Sequence, residues 1–318
     1  MKRGKVAIVG AGSVGSTIAY TLSVKGLVTD IALIDLDLGR AAAETQDILH
    51  GVSLGSPLKV ASGGYEAAAD AEVAVITAGA KQRPGESRVG LADRNVKVTR
   101  GIVHSSLAAG FRGIFLVITN PVDVLTWVAW KSAAAEAEVP PSRVIGSGTV
   151  LDSSRLRHFL SEHCRINPIN VHGYVLGEHG DTSFPAWSLT SVGGVNIAEY
   201  CPRCGQGCEM GELELRAREH VRGAAQQIIA AKGATSYGIA QAASVILQAI
   251  LRDERRILTV STVREGWKGL RATAFSVPTI VGAGGAEEVL DLPLSSADEQ
   301  SLLASASYVA SVIDSVGA

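Results

Sequence analysis

Short apolar runs recur through the first half of the chain: Val6–Val9, Ile31–Ile34, Val73–Thr77, Ile114–Ile118 and Val144–Ile145. Bounded by Gly, Thr or Asn, each predicts a short buried strand. Helix-length segments lie between them: Ser13–Lys25, Arg40–Leu54, Ser87–Ala109 and Val122–Ala137. Strands alternating with helices predict parallel βαβ units, and so an α/β fold with a doubly wound parallel sheet over residues 1–149. The second half is patterned differently. It predicts helices at Asp152–Cys164, Glu209–Ala231, Ser236–Leu251 and Ser296–Ile313, a strand at Val171–Leu176, and antiparallel strands at Arg256–Ser261 and Ala274–Val281. Partial segregation of strands from helices predicts an α+β domain over residues 150–318.

The length of 318 residues agrees with two domains. Hydrophobic residues at 47% and charged residues at 19% are a core-forming balance, which excludes a disordered chain. A net charge of −2 gives no sign of a nucleic-acid or membrane-surface binder. No apolar run reaches the ~18 residues of a transmembrane helix. Lys2, Arg3 and Lys5 before Val6–Val9 imitate a signal peptide, but the stretch is glycine-rich and lacks an A-x-A-like cleavage site. A cytoplasmic location is expected.

Gly10-Ala-Gly12-Ser-Val-Gly15 follows a predicted strand and opens a predicted helix. In a Rossmann-type unit the first glycine permits the tight turn, the second lets backbone approach a pyrophosphate, and the third allows close helix packing. The helix N-terminus offers free N–H groups to phosphates. Asp35 ends the second strand, where a carboxylate accepts ribose hydroxyls and repels the extra phosphate of NADP. NAD is therefore the expected cofactor. An FAD site or a glycine turn that binds nothing has the same local pattern, but no later feature favours FAD.

Gly177-Glu178-His179-Gly180-Asp181 follows the strand Val171–Leu176, which exposes an approachable imidazole suited to proton exchange near neutral pH. Asp152 and Arg155 share one helix face. They form either a surface ion pair or two halves of a site, Asp152 holding a histidine and Arg155 gripping a carboxylate through two parallel bonds. The segment Ala78–Gly90 leaves the carboxyl edge of the sheet, is polar, and has glycines at 79, 85 and 90, the composition of a mobile lid that could carry Arg88 to a closed site.

With these stretches in order, the chain resembles the lactate/malate dehydrogenase family over essentially its whole length. The matching segments are GAGSVG with Asp35, ITAGAKQRPGESR, TNPVDVLT, GSGTVLDSSRLR, GEHGDT and KGATSYGIA. The resemblance implies that His179 exchanges the proton, Asp152 orients and supports the imidazolium, Arg155 binds the substrate carboxylate, and Arg88 polarises the carbonyl. It places Asn120 against substrate and cofactor, and extends the NAD contacts from Gly10, Gly12, Gly15 and Asp35 to Val14, Arg40, Tyr65, Gly79, Ala80, Thr119 and Ser147. The two branches of the family differ at the lid, where the malate type carries arginine and this chain has Gln82. A neutral Gln82 would leave the second carboxylate of oxaloacetate without a counter-charge, whereas pyruvate presents only a methyl group. Thr235 matches the position that bounds the pocket in the lactate type. Pyruvate and L-lactate are therefore the expected substrates. Arg83, next to Gln82, is read as a solvated lid charge, although an inward swing would admit oxaloacetate.

Arg155 and Arg157 project about 200° apart on a helix, so both cannot face one substrate. Arg157 is either a plain surface charge or part of a regulatory site. In the resembling bacterial enzymes activated by fructose 1,6-bisphosphate, an arginine here acts with a histidine seven residues before the catalytic one, which is His172. A homotetramer is implied by the same likeness, with the Arg/His pairs of two subunits meeting at a two-fold axis.

Four cysteines are too few for a disulfide scaffold. Cys201-Pro-Arg-Cys204-Gly-Gln-Gly-Cys208 has metal-like spacing, but no fourth ligand is apparent nearby, unless folding brings in Cys164 or a histidine. A redox-active thiol pair and an ordinary loop are the other readings, and no metal is expected. Intact His179, Asp152 and Arg155 argue against a non-catalytic NAD-binding sensor.

Overall fold

The computed structural model describes residues 4–52, 54–55, 57–80 and 88–317, the side chains at 88, 89 and 91 excepted. Its first half alternates strands and helices: β1 (Lys5–Val9), α1 (Ser13–Lys25), β2 (Asp30–Ile34), α2 (Leu38–Val52), β3 (Lys59–Ser62), β4 (Val73–Ile76), α3 (Arg88–Ala108), β5 (Ile114–Val117), α4 (Val122–Ala137) and β6 (Val144–Gly146). The second half continues with α5 (Val150–Cys164), β7 (Val171–His172), β8 (Val175–Leu176), β9 (Phe184–Pro185), β10 (Ser191–Val192), β11 (Val195–Asn196) and α6 (Ile197–Tyr200). It closes with α7 (Met210–Lys232), α8 (Tyr237–Leu251), β12 (Arg256–Arg264), β13 (Thr273–Gly282), β14 (Gly285–Val289) and α9 (Ser296–Ser315).

β1 to β6 are parallel and lie in the order β6-β5-β4-β1-β2-β3. The order reverses between β1 and β4, the point where open α/β sheets bind ligands at their carboxyl edge. The runs lack polar alternation because both faces are covered. Ala7, Val9, Ala74, Ile76, Phe115 and Val117 enter a core with α3 and α4. Their neighbours Val6, Ile8, Val73, Val75, Ile114 and Leu116 enter the opposite core with α1 and α8. Full burial of an Ile or Leu of this kind contributes roughly 1.5–3 kcal/mol.

The sheet does not stop at the junction near residue 149. β12 pairs antiparallel with β6 through Ser261 and Gly146, and β13 and β14 extend it to nine strands. α8 returns to pack on α1.

The predicted strand Val171–Leu176 is two strands in different sheets. β7 joins β10 and β11, whereas β8 pairs with β9. Val171 and Val175 serve one core and Leu176 another, and the Val175 N–H donates to Ser153 Oγ at 2.9 Å. β3 and β14 escaped the sequence pattern because edge strands bury few side chains; in β3 only Val60 is buried.

Candidate active site

The residues after β1, β2, β4, β5 and β6 meet at one edge of the sheet. Gly10 has φ 110°, and its N–H donates to Ile34 O at 2.7 Å. A Cβ on Gly10 would lie 2.5 Å from Ala78 N, and one on Gly15 would lie 1.8 Å from Gly10 O. The turn is therefore closed to any larger residue. At Gly12 nothing lies within 4 Å of an added Cβ, and no side chain caps α1 there. That open, uncapped helix start fits a pyrophosphate approaching backbone N–H groups. Asp35 accepts from Ala11 N at 2.6 Å and Asp37 N at 2.9 Å, which holds its carboxylate beside the glycine turn.

The other residues expected at the cofactor are arranged as follows. Val14 is half-buried on α1, and Arg40 is exposed on α2. Tyr65 opens the turn after β3. Gly79 sits against Thr119, whose Oγ1 donates to Ala78 O at 2.9 Å. Ala80 N donates to Asn95 Oδ1 at 2.7 Å, and Asn95 Nδ2 donates to Asn120 O at 2.8 Å. Ser147 is buried after β6. Asn95 thus ties the segments after β4 and β5 together, a part that sequence reasoning missed.

The start of α5 is pinned to the second half of the chain. Thr149 N donates to Ser276 Oγ at 3.1 Å, and Thr149 Oγ1 donates to Val175 O. β8 leads into Gly177, where φ is 88° and an added Cβ would lie 2.4 Å from Ser305 Oγ. Only glycine fits that turn, which delivers His179 to the first turn of α5. His179 Nδ1 lies 2.6 Å from Asp152 Oδ2. Arg155 donates from a terminal nitrogen to Asp152 Oδ1 at 2.8 Å. The side chains of Asp152, Arg155 and His179 are 7%, 14% and 28% exposed.

Asp123 completes the group. It sits in the first turn of α4, buried, and accepts from the backbone N–H of His179 at 2.7 Å and from Ser261 Oγ at 2.6 Å. Burial raises its pKa to about 6, against the lowering effect of those two donors. Its motif, TNPVDVLT, was visible, but only Asn120 was singled out from it.

Electrostatics follow from this packing. The negative charge of Asp152 raises the His179 pKa to about 9, against desolvation, with a contribution from Asp123. Burial alone would raise the Asp152 pKa, yet His179 and Arg155 together hold it below the ordinary value. The N-terminal end of α5 also favours a carboxylate there. The imidazole is therefore charged at neutral pH.

The structure gathers His179, Asp152 and Arg155 and points Arg157 elsewhere, its Nε donating to Ser153 O at 3.2 Å. His172 is exposed on β7, which packs against α5. Thr235 lies in the turn between α7 and α8; Gly238, just beyond it, is against Leu151, next to Asp152. Gln82, Arg83 and the Arg88 side chain lie outside the described residues.

The lactate/malate dehydrogenase NAD-binding domain matches residues 4–146, and the alpha/beta C-terminal domain of the same family matches residues 149–318. The chain belongs to the lactate/malate dehydrogenase family. As a member of that family it is an NAD-dependent oxidoreductase, and NAD is its cofactor. Similar members include the L-lactate dehydrogenase of Thermoanaerobacterium saccharolyticum, 46% identical over 97% of this chain and 98% of the relative. That of Kosmotoga olearia is 43% identical over 98% and 96%. Among solved structures, the minor L-lactate dehydrogenase from Enterococcus mundtii in ligand-bound form superposes with a TM-score of 0.93, at 40% identity over 99% and 98% of the two chains. A lactate dehydrogenase from a Medee basin deep-sea metagenome library also gives 0.93, at 36% identity over 100% of both.

Proposed function

We propose that the protein interconverts pyruvate and L-lactate, with residues 1–149 holding NAD and 150–318 holding substrate. The observation that carries this reading is one buried carboxylate, Asp152, bonded at once to an imidazole and a guanidinium. NADH, when bound, supplies the hydride that reduces the carbonyl carbon. His179 delivers the proton to the carbonyl oxygen. With Nδ1 engaged by Asp152, the nitrogen left for this transfer is Nε2. Arg155 has one terminal nitrogen on Asp152 and presents its remaining N–H groups to the substrate carboxylate. Arg88 on the lid stabilises charge developing on the oxygen, and Asn120 positions substrate and cofactor. Gly10, Gly12, Val14, Gly15, Asp35, Arg40, Tyr65, Gly79, Ala80, Thr119, Asn120 and Ser147 form the cofactor side, and Thr235 bounds the pocket.

Pyruvate is preferred over oxaloacetate because Gln82 supplies no cation for a second carboxylate. Steady-state rates with NADH and each ketoacid test this, and faster turnover of oxaloacetate would reject it. Gln82→Arg is expected to move the ratio of kcat/KM values at least about tenfold towards oxaloacetate, one charged contact being worth ~1.5–3 kcal/mol.

Arg157 and His172 are read as half of a fructose 1,6-bisphosphate site, completed by a second subunit in a homotetramer. Support comes from the position of both residues on packed elements outside the catalytic group. Arg157→Gln and His172→Gln should each abolish activation by fructose 1,6-bisphosphate in an assay at subsaturating pyruvate. Undiminished activation in both would remove the site. No helix among the described residues is long and apolar enough to cross a membrane. A cytoplasmic enzyme that reoxidises glycolytic NADH while forming lactate fits these features.

A further inference from the structure

The loop between α6 and α7 and the last turn of α5 form a second cluster of reactive side chains, remote from the proton-transfer site. Donor atoms of His163, Cys204 and Cys208 all lie within 4.8 Å of one another. Cys201 and Cys208 are joined as a disulfide, with their Cα atoms 5.4 Å apart, so the Cys201 sulfur sits at the same place. Cys201 is fully buried and Cys208 nearly so, in the core that α5 and α7 share. The imidazole adds an independent sign of a ligand: His163 Nε2 is buried without a hydrogen-bond partner. A buried nitrogen without a partner favours any group that binds it.

We propose that the reduced chain binds one zinc-class divalent ion through Cys201, Cys204, Cys208 and His163. Tetrahedral zinc with sulfur at ~2.3 Å and nitrogen at ~2.0 Å needs donor atoms about 3.5–3.8 Å apart. The His163, Cys204 and Cys208 donors, within 4.8 Å of one another, need only a small adjustment, whereas the Cys201 and Cys208 sulfurs must part to that spacing once the disulfide is reduced. The spacing C-x2-C-x3-C supplies three soft ligands from one short loop, and the fold supplies the fourth from α5. Four protein ligands close the coordination shell, so the ion is structural rather than catalytic. Asp152 is about 16 Å along the same helix, too far to share it. The ion would tie the end of α5, the helix that carries Asp152 and Arg155, to the start of α7.

Binding first requires reduction of the Cys201–Cys208 disulfide. A dithiol such as dithiothreitol supplies two electrons and two protons and is itself oxidised to a cyclic disulfide. Zinc then displaces the thiol protons to solvent.

The test uses the full chain, reduced with dithiothreitol, freed of it anaerobically and titrated with zinc and, separately, with cobalt(II). Wild type should take up one zinc per chain, give the thiolate-to-cobalt charge-transfer band of a tetrahedral site, and melt about 5 °C higher with zinc. Cys204→Ser and His163→Gln should each lose more than about hundredfold in affinity and show no thermal shift. Cys164→Ser, adjacent but outside the ligand set, should bind as wild type; loss of zinc there would overturn the assignment. If a variant fails to fold, the cobalt spectrum of wild type decides, and absence of sulfur charge transfer rejects the site. Equal binding by wild type, Cys204→Ser and His163→Gln does the same.

Discussion

Asp152→Asn should keep the fold and lower kcat/KM for pyruvate on the order of 10³-fold or more, as loss of the carboxylate behind a catalytic histidine does elsewhere. The reason lies in what one carboxylate holds. It raises the His179 pKa to about 9 and accepts hydrogen bonds from both His179 and Arg155. Without its charge the imidazole returns towards its ordinary value near ~6.5, leaving about a quarter of it protonated at pH 7. That alone is only about a fourfold loss. The remainder must come from lost orientation and lost stabilisation of the imidazolium as substrate approaches.

The pH profile separates these parts. Pyruvate reduction by wild type should hold to about pH 9 and then fall tenfold per unit, because the proton donor is lost. In the variant the fall should begin near ~6.5. Folding stability carries the same signature. The His179 pKa is raised in the native state, so its contribution is complete below ~6.5 and disappears as pH rises through about 9. Urea midpoints between pH 6 and 10 should show that slope in wild type and a reduced slope in the variant. Turnover of the variant close to wild type at pH 7 would remove Asp152 from the proposed chemistry.

Arg155→Leu is expected to raise KM for pyruvate by about 10²–10⁴, because truncation leaves the substrate carboxylate unpaired in a closed site at roughly 3–5 kcal/mol. The effect falls mainly on KM, since the carboxylate is bound in ground and transition states alike. Arg155→Lys keeps the charge but loses the planar fork, so it should fall between the two. Here the pH profile should move the opposite way. The Arg155 charge lowers the His179 pKa, so its removal should shift the alkaline fall above that of wild type. A KM within tenfold of wild type in Arg155→Leu would show that the carboxylate is held elsewhere.

What could be read from sequence was local. The apolar runs of β1, β2, β4, β5 and β6 declare themselves because two cores bury both their faces. The turn Gly10–Gly15 is legible as a glycine pattern because crowding at Gly10 and Gly15 excludes any larger residue there, with Gly15 set against Gly10 within the turn itself. The ends of α1 and α4 coincide with the predicted ones, Ser13–Lys25 and Val122–Ala137. The identities of His179, Asp152 and Arg155 were visible as motifs, but spacing on α5 left a surface ion pair equally open for the last two.

Tertiary structure decided the rest, through contacts between residues far apart in the chain. The pairing of Asp152 with His179 depends on Gly177 turning against Ser305, and on Ser153 taking the Val175 N–H. Asp123 became part of the site only when α4, β12 and the His179 loop met. Val171–Leu176 divided into two strands because β7 pairs with β10 whereas β8 pairs with β9, and α8 left its own half to cover α1. His163 joined the cysteine loop in the same way. Hydrophobic period and turn chemistry act within a few residues, whereas burial, charge pairing and ligand convergence arise only once distant segments share a volume from which water is excluded.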